Sequence, residues 1–348
     1  DAVFSKTKMV AGTANKLELS EGGVGHMLLV PYYTAQNGNM TVLHVVNTDT
    51  VNGKAVKVRF RGAANSDDVM DFQVFMSPGD VWTAAVTAGA DGIAQIQTAD
   101  NTCTVPSLGF NKPQAFSTGR LNPNATAVAK ANGTREGYVE IFNMADVEAA
   151  KLWGTTNDDY SPLYKAIKHD KGIAPCSVAG SAAETTLTTI ALKNYVAEDK
   201  AATDGFNTPT GGLMGDWYII NVPETTTFSG AATAVVATGG NGRGNFVHFP
   251  QIDTPVAATA INQFTADPLL RSNSKDAAGT ARTTPALAAG NYDLPDMSTP
   301  YLAADWTNPT GSAVVGTGNP LSQASVLTAA LAVNSVTNQY ANDASISA

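Results

Sequence analysis

Ala55-Val56-Lys57-Val58-Arg59-Phe60-Arg61 alternates residue by residue between apolar and cationic side chains. A strand turns successive side chains to opposite faces, so the run reads as β. Val56, Val58 and Phe60 share one face, and Lys57, Arg59 and Arg61 the other. Its neighbours read alike. Asp71-Phe72-Gln73-Val74-Phe75-Met76 alternates and ends at Ser77-Pro78-Gly79-Asp80, and Val81-Trp82-Thr83-Ala84-Ala85-Val86 follows. Upstream, Met27-Leu28-Leu29-Val30 is a short apolar run stopped by Pro31. Asn37-Gly38 is the dipeptide of a tight hairpin, where both central residues need positive φ, and residues 41–46 are its return strand. A second such dipeptide, Asn52-Gly53, separates that strand from the opening one. Short strands punctuated by turns roughly every ten residues predict a mainly β fold. The expected architecture is an antiparallel β-sandwich, immunoglobulin-like or jelly-roll-like, with a few inserted helices and long irregular loops.

The rest of the chain is mixed. Glu136-Gly137-Tyr138-Val139-Glu140-Ile141-Phe142 reads as a strand and residues 145–153 as helical. Ser161-Pro162 is a helix start, with Ser as N-cap and Pro at N1, leading into residues 163–169. Residues 213–222 and 233–237 return to strand. The stretch 254–320 has few periodic runs, and a final helix is expected over 322–340, capped by Ser322. The implied organisation is a sandwich core over residues 1–250 with a helical insertion near 145–170. An irregular arm and C-terminal helix over 251–348 complete or decorate that core.

Composition excludes several classes. Only 15% of the 348 residues are charged, against ~25% in an ordinary soluble domain. The hydrophobic share is 43%, so Thr, Ser, Asn, Ala and Gly stand where charges would. Disorder needs high net charge with few apolar residues, and a coiled coil needs heptads rich in Glu, Lys and Leu. Neither fits. A net charge of −9 leaves no basic surplus to neutralise phosphates, which argues against nucleic acid as a partner. No run approaches the ~18 apolar residues of a membrane helix, so no transmembrane segment is expected. The start Asp1-Ala2-Val3-Phe4 reads as a processed N-terminus left by signal-peptide removal.

The two cysteines, Cys103 and Cys176, both sit in loop-like sequence. An even count beside a processed start favours one disulfide in an oxidising compartment, with two separate buried thiols as the other reading. No catalytic motif accompanies them. Gly239-Gly240-Asn241-Gly242-Arg243-Gly244 lacks the Lys-Ser/Thr of a P-loop and the spacing of a dinucleotide fingerprint, and reads as a flexible hairpin tip. His26, His44, His169 and His248 form no zinc motif. His169-Asp170 would supply one corner of a triad, but no Gly-x-Ser-x-Gly elbow brings a nucleophile. Asp67, Asp68, Asp158 and Asp159, with Asp293 and Asp296, lie in loops bearing Asn and Ser. Oxygen-rich loops of this kind suit Ca²⁺, which takes six to eight oxygen ligands, and equally suit solvated turns. Trp82, Trp153, Trp217 and Trp306 are candidates for a sugar platform or for core packing.

Several blocks carry a resemblance. They are Val30-Pro31-Tyr32-Tyr33, Asn47-Thr48, Lys54 to Arg61, Asn65-Ser66 and the run Val69 to Trp82 containing Ser77-Pro78-Gly79-Asp80-Val81-Trp82. Arg135-Glu136-Gly137-Tyr138-Val139-Glu140, Pro175-Cys176, Gly212-Leu213-Met214-Gly215 and Ser335-Val336-Thr337-Asn338-Gln339-Tyr340 extend it. The chain resembles uncharacterised secreted or cell-surface proteins of Gram-negative bacteria. The resemblance implies export, a Cys103–Cys176 bridge and a surface-layer or extracellular-filament role. It carries no catalytic residues over. Members of that family continue past the position of Ala348 with a further strand.

Three functions follow in order. The first is a structural, non-enzymatic cell-surface protein that self-assembles into a surface layer or filament, its partners being copies of itself. The second is an adhesin for surface polysaccharide or lipopolysaccharide. The third is a secreted polysaccharide-active enzyme. A weakly charged surface of small residues favours the first, because copies approach with little repulsion and little side-chain entropy to lose.

Overall fold

The computed structural model describes residues 9–63, 66–118, 121, 125–149, 160–193, 198–246, 248 and 251. In chain order come strands β1 (Lys16–Leu19), β2 (Met27–Thr34), β3 (Asn39–Asn47), β4 (Gly53–Gly62), β5 (Asp68–Met76), β6 (Val81–Ala88), β7 (Ala94–Gln97), β8 (Cys103–Val105) and β9 (Gln114–Ala115). Helix α1 (Ala127–Thr134), strand β10 (Glu136–Val147) and helices α2 (Pro162–Ile167), α3 (Ala182–Leu192) and α4 (Glu198–Asp204) follow. Strands β11 (Phe206–Asn207), β12 (Leu213–Asn221), β13 (Thr226–Ala231) and β14 (Thr233–Thr238) complete the order. They form two antiparallel sheets. The larger runs β1-β14-β2-β10-β4-β5-β8, with β11 beside β10, and the smaller runs β13-β12-β3-β6-β7-β9. The protein is a β-sandwich.

The alternation of the 55–61 run sorts its side chains between two cores. Val56, Val58 and Phe60 join Leu43, Val45, Phe72, Val74 and Trp82 between the sheets. Tyr33 and Phe60 meet edge to face at 5.2 Å, and Phe72 lies 5.6 Å from Trp82. Such pairs add about 0.5–1.5 kcal/mol beyond burial. The opposite face of the larger sheet carries Ala55, Phe75 and Phe142, packed against Leu163 and Ile167 of α2 and Leu187 and Ile190 of α3. Both faces of β4 are therefore covered, and all ten of its residues are buried. Where β10 crosses β4, a Cβ on Gly137 would stand 1.7 Å from the Arg61 carbonyl oxygen, so only glycine permits that approach.

The Ser161 start forms as expected: its Oγ accepts from the Tyr164 N–H at 3.0 Å and Pro162 opens α2, which ends at Ile167. Cys103 and Cys176 are bonded, tying β8 at the sheet edge to the segment before α3, with their Cα atoms 5.9 Å apart.

Three local expectations are corrected. Residues 145–147 are strand, not the beginning of the helical insertion: Ala145, Asp146 and Val147 pair with Ala55, Lys54 and Gly53. The ladder overrides the local propensity there. Pro31 does not stop β2, because it falls in the register shift between the Val30 and Tyr33 pairings with β10, and β14 pairs with β2 only over Met27–Leu29. Asn37 and Gly38 take φ of 52° and 79°, as the turn chemistry requires, yet they join β2 in one sheet to β3 in the other. Of the arm and helix expected over 251–348, all but Gln251 lies outside the described residues.

Candidate functional site

The cationic face of β4 does not meet water. Lys57 Nζ lies 2.5 Å from Asp71 Oδ1, Arg59 Nη2 2.8 Å from Asp68 Oδ2 and Arg61 Nε 3.3 Å from Glu140 Oε2. At the other end of the strand Lys54 Nζ donates to Asp146 Oδ1 at 2.7 Å. All eight side chains are at most 1% exposed. The rungs link β4 to β5 on one side and to β10 on the other. Gln251 closes the central one, accepting from Lys57 Nζ at 2.7 Å and donating to Asp71 Oδ1 at 2.9 Å. Burial pulls the Lys57 pKa down, and Asp71 holds it up. An ammonium so placed stays charged only with its partner. The arrangement clamps strands and neutralises charge, which is a structural use of eight ionisable groups.

That use takes in one of the calcium candidates. Asp68 is the partner of Arg59, and the buried Asp67 beside it turns its carbonyl to the Gly62 N–H at 2.9 Å. Asp158 and Asp159, like Asp293 and Asp296, lie outside the described residues. Among the described residues no group of three or more His, Cys, Asp or Glu is placed to hold a metal ion.

Two histidine clusters were not visible in sequence order. Ser77 Oγ and His169 Nδ1 are 2.7 Å apart, with Asp80 Oδ2 3.6 Å from the same nitrogen. A hydrolase relay needs nucleophile and acid on opposite ring nitrogens, so this trio does not form one. Asp170, the acid adjacent in sequence, is taken up in a backbone bridge with Ile173. Burial raises the Asp80 pKa, opposed by His169 and by hydrogen bonds from the Ser77 N–H and Thr102 hydroxyl. On the outer face of the smaller sheet, His44 Nδ1 lies 3.0 Å from Asp216 Oδ1 and 2.8 Å from the Tyr218 hydroxyl. His44 sits on β3, an interior strand of the smaller sheet. The Gly239–Gly242 segment is pinned rather than free: Asn241 donates through its N–H to Thr13 Oγ1 and through Nδ2 to the Ala11 carbonyl.

His26 yields a measurable consequence. It is buried, and its Nδ1 accepts from the Ala237 N–H at 3.1 Å, which puts the ring proton on Nε2. Loss of hydration lowers its pKa from 6.5 to about 4, although Asp146 opposes the shift. The folded state therefore holds the neutral ring where the unfolded chain would bind a proton. The stability this affords is intact above pH 6.5 and is lost as pH falls towards 4, to the extent of about 3 kcal/mol. Urea titrations at pH 7 and pH 5 on the protein and on His26→Asn should show this component only in the former. An equal pH dependence in both would assign it elsewhere.

The described residues also hold a cavity of about 640 Å³ beside the disulfide, lined by Asp100, Asn101, Thr104, Phe110, Glu184 and Gln251 among others. Its acids already cap turns. Asp100 accepts from the Thr102 and Thr83 N–H groups, and Glu184 from the Gly180 N–H. Of the four tryptophans, Trp82 is fully buried between the sheets and so offers no sugar platform, and the half-buried Trp217 packs against that core. Trp153 and Trp306 lie outside the described residues. No helix among the described residues is long and apolar enough to cross a membrane. Comparison of the chain with models of protein families, with curated proteins and with solved structures finds no match.

Proposed function

We propose that this chain is a structural protein of the cell exterior that assembles with copies of itself into a surface layer or filament. The observation that carries the reading is where its charges are. A chain with only 15% charged residues places Lys54, Lys57, Arg59, Arg61, Asp68, Asp71, Glu140 and Asp146 in its interior. These eight charges, four of each sign, are thereby withdrawn from the surface of the described residues. Asp216 is the only charged residue of β12 and β13, and it is engaged by His44. Copies of one chain carry the same net charge of −9, so contact between them is favoured on faces where that charge is sparse. The disulfide suits an oxidising exterior.

The reading is tested by negative-stain microscopy and sedimentation of concentrated protein, with and without millimolar calcium. Ordered sheets or filaments are expected. A protein that stays strictly monomeric in both conditions overturns the proposal.

A further inference from the structure

We infer that β13 is the strand through which two copies of this chain join edge to edge, making one continuous sheet from the smaller sheets of both. The inference rests on the self-assembly reading only for the premise that copies meet, and it names the surface.

Among the described residues, strand β13 ends the smaller sheet, and five of its six residues are exposed. A sheet edge offers a row of backbone donors and acceptors, and folded proteins protect such rows with lysine, proline, bulges or a covering segment. Thr226-Thr227-Phe228-Ser229-Gly230-Ala231 has neither lysine nor proline, and its six pairings with β12 run without a register shift. No charged residue occurs between Glu224 and Arg243. The Ala232 N–H donates to the Gly215 carbonyl at 2.9 Å, and antiparallel alternation from there turns Thr226, Phe228 and Gly230 towards β12. The N–H and C=O groups of Thr227, Ser229 and Ala231 then point away from the sheet.

Side-chain direction makes the edge self-complementary. Gly230 lies beneath the Trp217 indole on the core-facing side, and Phe228 shares that side while remaining 63% exposed. Thr227 and Ser229 face outward. A two-fold axis normal to the sheet, passing midway between the two copies of Ser229, sets Ser229 opposite its own copy, Thr227 opposite Ala231, and Phe228 opposite Gly230 beside Trp217. This register engages every outward-pointing backbone group of the strand and keeps core-facing residues on one side. The row is neutral, so no like charges stand opposite one another along it. A second copy is the partner this chemistry fits.

Sedimentation of the full chain across a concentration series tests it, beside Ser229→Pro and Thr227→Lys. The Ser229 N–H makes no bond to β12 in this alternation, so proline removes an edge donor while sparing the hairpin. Wild type should self-associate, and each variant should weaken that step at least about tenfold with an unchanged circular dichroism spectrum. Should wild type and folded variants associate alike, the edge is refuted while self-assembly stands. A wild type that never associates refutes both. If proline unfolds the chain, Ser229→Cys decides: a disulfide-linked dimer on mild oxidation supports the two-fold register, and its absence in an associating protein overturns it.

Discussion

Asp71→Ala should destabilise the protein by about 3–5 kcal/mol, because it leaves the Lys57 ammonium buried without its counter-ion. A typical domain is stable by only about 5–15 kcal/mol, so the variant stands near its folding threshold. Three observations set the size. Both side chains are fully buried, so water cannot replace the lost carboxylate. Burial already lowers the Lys57 pKa and the neighbouring Arg59 lowers it further, while Asp71 is the largest opposing influence. Gln251 would retain an acceptor for Lys57 but lose the carboxylate that accepts its own Nε2–H. The control separates pairing from packing. Replacing Lys57 with Met, Asp71 with Leu and Gln251 with Leu together removes the whole polar unit and should restore most of the loss, since an apolar replacement of a buried pair is often neutral or better. Urea unfolding of the single and combined variants measures both. A single-variant loss below about 1 kcal/mol would mean that the rung contributes no more than a solvated pair.

The same rung shows what could be read from the chain and what could not. Alternation over 55–61 placed Val56 and Lys57 on opposite faces, as found, because side-chain direction in a strand is a local property. It could not reveal that the cationic face is buried. The available signal was the acids Asp71 and Glu140 standing inside apolar runs, where a solvated carboxylate has no reason to be. Sheet membership was less legible still. Turn chemistry at Asn37-Gly38 correctly gave positive φ at both residues, but a turn dipeptide does not choose the sheet its strands enter. That choice depends on β10, which arrives about a hundred residues later and inserts between β2 and β4. Asp146 pairs with Lys54 in that same insertion, which is why an alanine-containing stretch that suits a helix is held as strand. The Ser77–His169 and His44–Tyr218 contacts span 92 and 174 residues, and no spacing rule reaches so far.

Removing the disulfide should cost about 4 kcal/mol, the chain-entropy value for a loop of this length. The bridge joins residues 73 apart in sequence, so the unfolded chain regains a large conformational freedom once it is cut. The folded state should change little, because Cys103 stays in the ladder through its pairing with Phe75, and Cys176 stays among Leu187, Ala174 and Val105. Most of the effect therefore belongs to the unfolded state. Cys103→Ser with Cys176→Ser introduces hydroxyls into that packing, so Cys103→Ala with Cys176→Ala is the cleaner variant, with a smaller cavity contribution of its own. Urea unfolding of the oxidised protein, the reduced protein and the double-alanine variant should give two curves displaced together to lower denaturant. Transient opening of the segment carrying α2 and α3 should also become more frequent, because this bond is one of its ties to β8 at the sheet edge, beside the packing of Leu187 with Val105. Hydrogen exchange should show those helices losing protection before the strands of the inter-sheet core. Reduction that leaves both the midpoint and the helix protection unchanged would show that packing of Leu163, Leu187 and Ile190 holds this layer without the bridge.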